Sequence, residues 1–335
     1  MKKLLKINVP IVNIFGYYNI YTSLLEKYKI NEYDIILENY IQVIYNKKNN
    51  IPIFSGANSI EQYNNAFLHT VIDKNLLVKS GDDVLSKIIF LLDNDYYVHF
   101  YCNTYYVDEY VTFNKVHRGH TLLIYGYDLS RNIFNASDFF NFVHASHKEC
   151  DIGQVIEGLK NNENVINVSG EIRRITGIRK NEAVESPLDF NVLYNRIKEF
   201  LNYDNLRNCE VCSGAGFLVQ LYEQFYRSGN QISGMRIMQN FHFAAQHIML
   251  MKYRAEWIYQ KYYNHNEYKI LEESFEALER ECLGLRNSLI KNQSILLSGD
   301  ESDNLIQDII DKTKRLGDGY ILLLNRFVNA IEASV

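Results

Sequence analysis

Hydrophobic and polar positions along this chain follow two regimes. Up to about residue 180 the period keeps changing, and after it nearly every segment repeats at helical spacing. Residues 17 to 28, "YYNIYTSLLEKY", carry apolar groups at 17, 20, 21, 24, 25 and 28, with Gly16 just before them. That stripe predicts an amphipathic helix. A second helix is predicted over 33–46. "IPIFSGANS" reads as a strand or loop, and "SIEQYNNAFLHTVI" as a helix. "SGDDVLSKIIFLLDN" opens on a Ser/Asp cap and continues as a helix. "YYVHFYCNTYYV" is rich in β-formers and alternates weakly, which predicts a strand. "HTLLIYGYD" and "NIFNASDFF" then flank a short turn near Leu129 and Ser130, the pattern of a hairpin. "DIGQVIEGLKNN" predicts a short helix, and "ENVINVSGEIRRITGI" one or two further strands.

The polar stretch "KNEAVESP", ending at Pro187, marks a boundary. Beyond it, helices are predicted over 188–204, 214–227, 233–264, 266–293 and 301–333. The expected fold is therefore α+β. Residues 1–184 form a domain with helices and an antiparallel sheet, and residues 185–335 form an all-α helical domain. No internal repeat is visible.

Composition narrows the function classes. The chain has 335 residues, 47% hydrophobic and 22% charged, as expected of a globular protein with a sizeable core. The net charge of -5 lacks the basic excess of a nucleic-acid binder. The apolar runs fall short of the roughly 20 residues of a membrane-spanning helix. The N-terminus, basic and then apolar, is interrupted by Asn and Lys and precedes no small-residue cleavage site, so it reads as mature protein. The 26 Tyr and 3 Pro read as a coding bias toward AT-rich codons. The 5 Cys form an odd, sparse set, which predicts a reducing, cytoplasmic setting without a disulfide framework. Cys209 and Cys212 make one C-x-x-C pair with no second pair to complete a zinc site, so no metal is expected.

The hairpin supplies the candidate chemistry. With its turn centred near 129 and 130, His120 falls opposite Asp138 on one face, where side chains lie roughly 5 Å apart. A carboxylate there can take the Nδ1 proton of the imidazole, fix its tautomer and leave Nε2 as a base. A satisfied structural His–Asp pair at a sheet edge has the same pattern. His117 reads as a loop residue beside the pair. Such pairs usually serve a nucleophile, and the favoured place for one is the start of a helix, where unpaired N–H groups and the dipole stabilise a thiolate. In "NIFGYYNIYTSLL" that position is Gly16, which has no side chain. Cys102 is the alternative thiol. Cys102 and Asn103 are adjacent on a strand, so only one of them can face a site.

The stretches "YYNIYTSLLEKYKI", "VHFYCNTYYVDEY" and "HRGHTLLIYGYDLSRNIFNASDFFN" resemble papain-like cysteine peptidase folds, and more closely the butirosin biosynthesis protein H-like family. An amide-forming, cysteine-protease-like enzyme of a closthioamide-type pathway is a further possible match. The resemblance covers most of residues 10 to 160 and, by architecture, the helical remainder. It implies a papain-like acyltransferase domain followed by a helical domain. The implied activity is amide bond formation in antibiotic or other nonribosomal peptide biosynthesis. An acyl or aminoacyl group would pass from the phosphopantetheine thioester of an acyl or peptidyl carrier protein to a small amine acceptor, with no further cofactor. Carried over by position, His120 is the base and Asp138 its orienter. The family nucleophile falls on Gly16, and a family acidic position falls on Asn103. Tyr17, Asn103 and His117 fall where substrate would bind. Three explanations of Gly16 stand open: a cysteine enzyme inactivated at residue 16, a degenerate papain-like binding protein, or catalysis without a protein thiol.

In the helical remainder, Met235, Met238, Phe241, Ala245, Ile248 and Met249 share one wide face, as a bundle core or a pliable apolar wall. His242 and His247 are spaced poorly for a shared metal. "EESFEALERECLGLRNSLI" is charged on one side and apolar on the other, as in an outer helix or a homodimer contact. "RRITGIRK", with Arg173, Arg174, Arg179 and Lys180, offers a basic segment for an acidic carrier protein or a solvated strand end.

Overall fold

The computed structural model of the chain describes residues 1–13, 16–25, 30–46, 51–54, 66–80, 83–141, 145–163, 165, 170–182, 189–202, 211–215, 217–218, 221, 234–261, 265–292 and 302–334. The fold is α+β, and the chain divides into two compact units. One comprises Met1–Glu32 and Ser59–Glu185, the other Tyr33–Asn58 and Ser186–Val335.

The first unit is built on a seven-stranded antiparallel sheet. Its strands are β1 (Lys2–Leu4), β4 (Phe67–Asp73), β5 (Tyr97–Asn103), β6 (Gly119–Asp128), β7 (Ile133–Asp138), β8 (Ser146–Asp151) and β9 (Arg174–Lys180). The strands β2 (Val43–Asn46) and β3 (Ile51–Phe54) belong to the other unit. The order across the sheet is β4-β9-β5-β6-β7-β8, with β1 paired to the end of β6. β1 approaches so closely that a Cβ on residue 126 would lie 2.6 Å from the Lys3 carbonyl oxygen, which requires Gly126.

Helices cover both faces. Helix α1 (Gly16–Leu24) packs on one, where the Tyr21 ring meets Phe67 at 5.3 Å. The other face carries Val98, Phe100, Leu122 and Ile124 against α3 (Lys74–Ser80), α4 (Val84–Asp93) and α5 (Ile152–Lys160). Asp83 caps α4 by accepting from the Leu85 and Ser86 amides, as the Ser/Asp start signal requires. Asp151 caps α5 in the same way. At the far end of α5, buried Lys74 donates to the Leu159 carbonyl and to Asn162 Oδ1 at 2.6 Å, a cation placed on a helix C-terminus.

The second unit holds α6 (Phe190–Leu201), three long helices and a small sheet. The long helices are α7 (Gly234–Lys261), α8 (Asn266–Lys291) and α9 (Ser302–Glu332). The buried positions of α8 run 268, 271, 275, 278, 282, 285 and 289, alternating by three and four as in a coiled-coil seam. This stripe faces inward within the unit, so the apolar side of "EESFEALERECLGLRNSLI" lines a core. The buried Phe241, Ala245 and Ile248 likewise make α7 a core helix.

Several expectations are corrected. The helix predicted over 33–46 is α2 (Ile30–Glu38) followed by strand β2 (Val43–Asn46), which pairs with β3 (Ile51–Phe54) and β10 (Val211–Ser213). "FLHTVID" is strand β4, because its β-branched and aromatic residues pair along their whole length with β9. Of the helix predicted over 17–28, α1 ends at Leu24, and residues 26–28 lie outside the described residues. The boundary at the polar stretch falls between Glu185 and Ser186, but residues 33–58 join the helical unit. Buried side chains of α7 hold them there. Arg254 donates to the Leu37 and Asn39 carbonyls, and His247 Nε2 lies 2.7 Å from the Ile41 carbonyl. The helix predicted over 214–227 lies largely outside the described residues. Among the described residues no helix is long and apolar enough to cross a membrane.

Two buried histidines make the fold acid-sensitive. Burial lowers the pKa of His99 to about 4 and that of His247 to about 3. A histidine held neutral in the native state but titrating near 6.5 when unfolded gives stability that is lost as pH falls from about 6.5 toward the folded value. The slope reaches about 1.4 kcal/mol per pH unit for each such group. His120, raised rather than lowered, is charged in both states over the lower part of that window and adds little slope there. Urea titrations at pH 6.0 and 5.0 are expected to show wild type losing stability, and His99→Leu losing about 1 kcal/mol less between the two. Equal losses in the two proteins contradict this assignment.

Candidate functional site

The connection from β6 to β7 is set locally. Asp128 Oδ1 accepts from the Ser130 amide at 3.0 Å and from its hydroxyl at 2.6 Å, and Asn132 adopts a left-handed conformation with φ 57°. Asp128 therefore faces Ile133 across a four-residue turn rather than a two-residue one. A β-bulge between Ile124 and Gly126 absorbs one residue, and beyond it Leu123 pairs with Ser137. Continued by one step, this register sets Asp138 opposite Leu122 and leaves His120 as its diagonal neighbour on the same face. Direct opposition of His120 and Asp138 is thus corrected to a diagonal meeting, within reach of a long side chain.

The pair nevertheless forms. His120 Nδ1 lies 2.7 Å from Asp138 Oδ2. Asp138 is 1% exposed and the His120 side chain 19%, so the carboxylate is sealed and the imidazole reaches the surface. A carboxylate only accepts, so the Nδ1 proton sits between them, and Nε2 carries the lone pair of the neutral ring. Burial lowers the His120 pKa, but the charge of Asp138 and its hydrogen bond outweigh burial and raise it above the ordinary value.

Tyr110 completes the group. Its hydroxyl donates a short hydrogen bond to the same Asp138 Oδ2, and its ring packs on Phe140 at 4.7 Å. Burial first, then the Asp138 charge, push the phenol pKa well up, so it stays a donor. Nothing in the sequence marks Tyr110. It lies in a loop with no periodicity, and only the folded chain brings it to Asp138.

The other expected residues are placed as follows. Cys102 is the Cα partner of His120 across β5 and β6, so it shares that face. It is fully buried beneath α5. A Cβ on residue 158 would lie 2.5 Å from Cys102 Sγ, so Gly158 is what lets the helix sit so close. Burial raises the thiol pKa far above its usual value, which leaves Cys102 a core residue and no thiolate. Asn103, the next residue, is also buried and reaches the C-terminus of α5. Its Oδ1 accepts from the Tyr105 amide, and its Nδ2 donates to the Asn161 carbonyl and lies 3.0 Å from His117 Nδ1. His117 stacks on Tyr105 with centroids 4.0 Å apart and is exposed. The sheet end therefore carries two separate pairs, His120 with Asp138 and His117 with Asn103.

Gly16 is the first residue of α1. The side chain of Tyr17 and residues 14 and 15 lie outside the described residues. Tyr21 places α1 on the face of Phe67 and His69, with its hydroxyl 3.3 Å from His69 Nε2. Strand alternation from His69 through Ile178 and Tyr97 puts that face opposite the one bearing Cys102 and His120. Asn13 Oδ1 accepts from the Ala145 amide, beside the pairing of Ser146 with Asp138. Asn13 and the His120–Asp138 pair thus lie at the same end of the sheet, while α1 packs on the opposite face.

Away from this end, the basic segment is split. Arg173 and Arg174 are exposed where β9 begins. Arg179, about 17 Å along the strand from Arg174, lies over the Tyr96 ring and lines a cavity of about 520 Å³ with Lys6 and Lys180. Among the described residues no group of three or more His, Cys, Asp or Glu side chains could hold a metal ion. Cys209 and the side chain of Cys212 lie outside the described residues. No protein-family model matches the chain, and no curated protein matches it.

Proposed function

We propose that the first unit is an amide-forming acyltransferase of papain-like type, in which His120 is the base, Asp138 orients it, and the acceptor amine itself is the nucleophile. The observation that carries this reading is the 2.7 Å bond from His120 Nδ1 to a sealed carboxylate, which fixes the tautomer of a ring that still reaches the surface. It is supported by the absence of a side chain at Gly16 and by the burial of Cys102, which leave neither expected position with a thiolate to form an acyl-enzyme. The substrate is an acyl or peptidyl thioester on the phosphopantetheine arm of a carrier protein, in a specialised-metabolite pathway. That part rests on the resemblance to the butirosin biosynthesis protein H-like family.

A thioester is already activated, so the chemistry needs positioning and one proton shuttle. The amine nitrogen attacks the carbonyl carbon and forms the C–N bond. His120 takes the proton the amine must lose. The C–S bond then breaks, and the departing sulfur receives that proton from the imidazolium. The exposed His117 stacked on Tyr105 supplies a flat wall near this end of the sheet.

A second reading is a binding protein on the same scaffold. It is favoured by one observation: α1, whose first residue is Gly16, lies on the sheet face opposite the pair.

Two measurements separate these readings. Amide formation from a simple acyl thioester and an amine should fall by at least about 100-fold in His120→Ala. Equal rates in variant and wild type remove the base and leave the binding protein. In Gly16→Cys, thioester turnover should stay within a few-fold of wild type. A large gain, with an acyl-enzyme visible by mass spectrometry, identifies a decayed thiol enzyme instead.

A further inference from the structure

We infer that Tyr110 is a positioning residue that sets the proton affinity of His120 through Asp138. The inference deepens the acyltransferase reading and rests on it only for its catalytic consequence. The geometry is unusual in one respect: the hydroxyl of Tyr110 and Nδ1 of His120 both end on Oδ2 of Asp138, which is 1% exposed. Two donors on one oxygen compete for the same charge. The Tyr110 hydroxyl spreads part of the carboxylate charge onto itself and so weakens its pull on the imidazolium.

The arrangement also fixes direction. Asp138 is the last residue of β7, where the ladder to β6 has ended. Its carboxylate therefore depends on side chains for orientation, and Tyr110 provides that from the loop after β5. That loop is anchored to the same strand end, because the Val111 amide donates to the Phe140 carbonyl at 3.2 Å. The phenol is buried against Phe140, and its raised pKa keeps it a donor at neutral pH. Arg118 acts on the imidazole in the same sense as Tyr110, lowering its proton affinity, but does so from solvent, where salt screens it.

Tyr110→Phe removes one oxygen and keeps the ring, so packing on Phe140 is retained. With one donor gone, Asp138 holds the imidazolium more tightly. The expected result is a His120 pKa higher than in wild type by roughly half a unit to one unit, read by proton–nitrogen NMR of the ring. The acid limb of the rate profile should move by the same amount. The decisive control is the background Asp138→Asn, in which adding Tyr110→Phe should leave the His120 titration unchanged. An unchanged His120 titration in Tyr110→Phe overturns the inference. So does a shift that persists in the Asp138→Asn background, because it then travels by another route. The titration needs no substrate. A protein inert toward thioesters that still shows the shift would sink the functional reading and leave this one standing.

Discussion

The bond between His120 Nδ1 and Asp138 Oδ2 is the constraint on which the functional end of the first unit depends. Without it the imidazole is a largely buried rotor whose pKa burial would lower. With it the ring has one tautomer, one orientation and a raised proton affinity. The bond is a product of the whole hairpin. The turn held by Asp128 and Ser130 and the bulge at Ile124–Gly126 together set a register that turns the two side chains to one face. Gly158 admits α5 close beneath Cys102, which closes the apolar floor under the pair. A sealed carboxylate beside an accessible ring follows from that packing.

The same sheet shows why a protein thiol is not needed to account for the pair. Cys102 is near His120 in the ladder, yet burial keeps it protonated. Gly16 has nothing to ionise, and α1 packs on the other face through Tyr21, Phe67 and His69. In the proposed reaction, where the acceptor amine is the nucleophile, both partners arrive from solution. Proximity and a single proton shuttle then carry the rate.

Much of this was legible in the residues, for identifiable reasons. The hairpin announced itself by two β-rich runs around a polar turn, and His120 and Asp138 sit near its open end whichever register applies. The long helices after residue 186 declared themselves by unbroken three-and-four spacing, clearest in α8. What stayed hidden depends on contacts distant in sequence. Strand β4 looked helical because its partner, β9, lies more than a hundred residues away. Residues 33–58 looked like part of the first domain because the side chains that hold them, Arg254 and His247, lie in α7. β5 alternated weakly because it is buried on both faces, and it carries His99 at 3% exposure with neither ring nitrogen bonded. Tyr110 had no signature, since its role exists only after the loop folds back onto β7.

The most direct measurement of the central claim is the tautomer and pKa of the His120 ring in the wild-type protein, by long-range proton–nitrogen NMR across a pH titration. A neutral ring protonated on Nδ1, with a pKa above 6.5, is the expected result. A ring protonated on Nε2, or a pKa below that value, would mean that Asp138 does not hold the imidazole, and the site would lose its base.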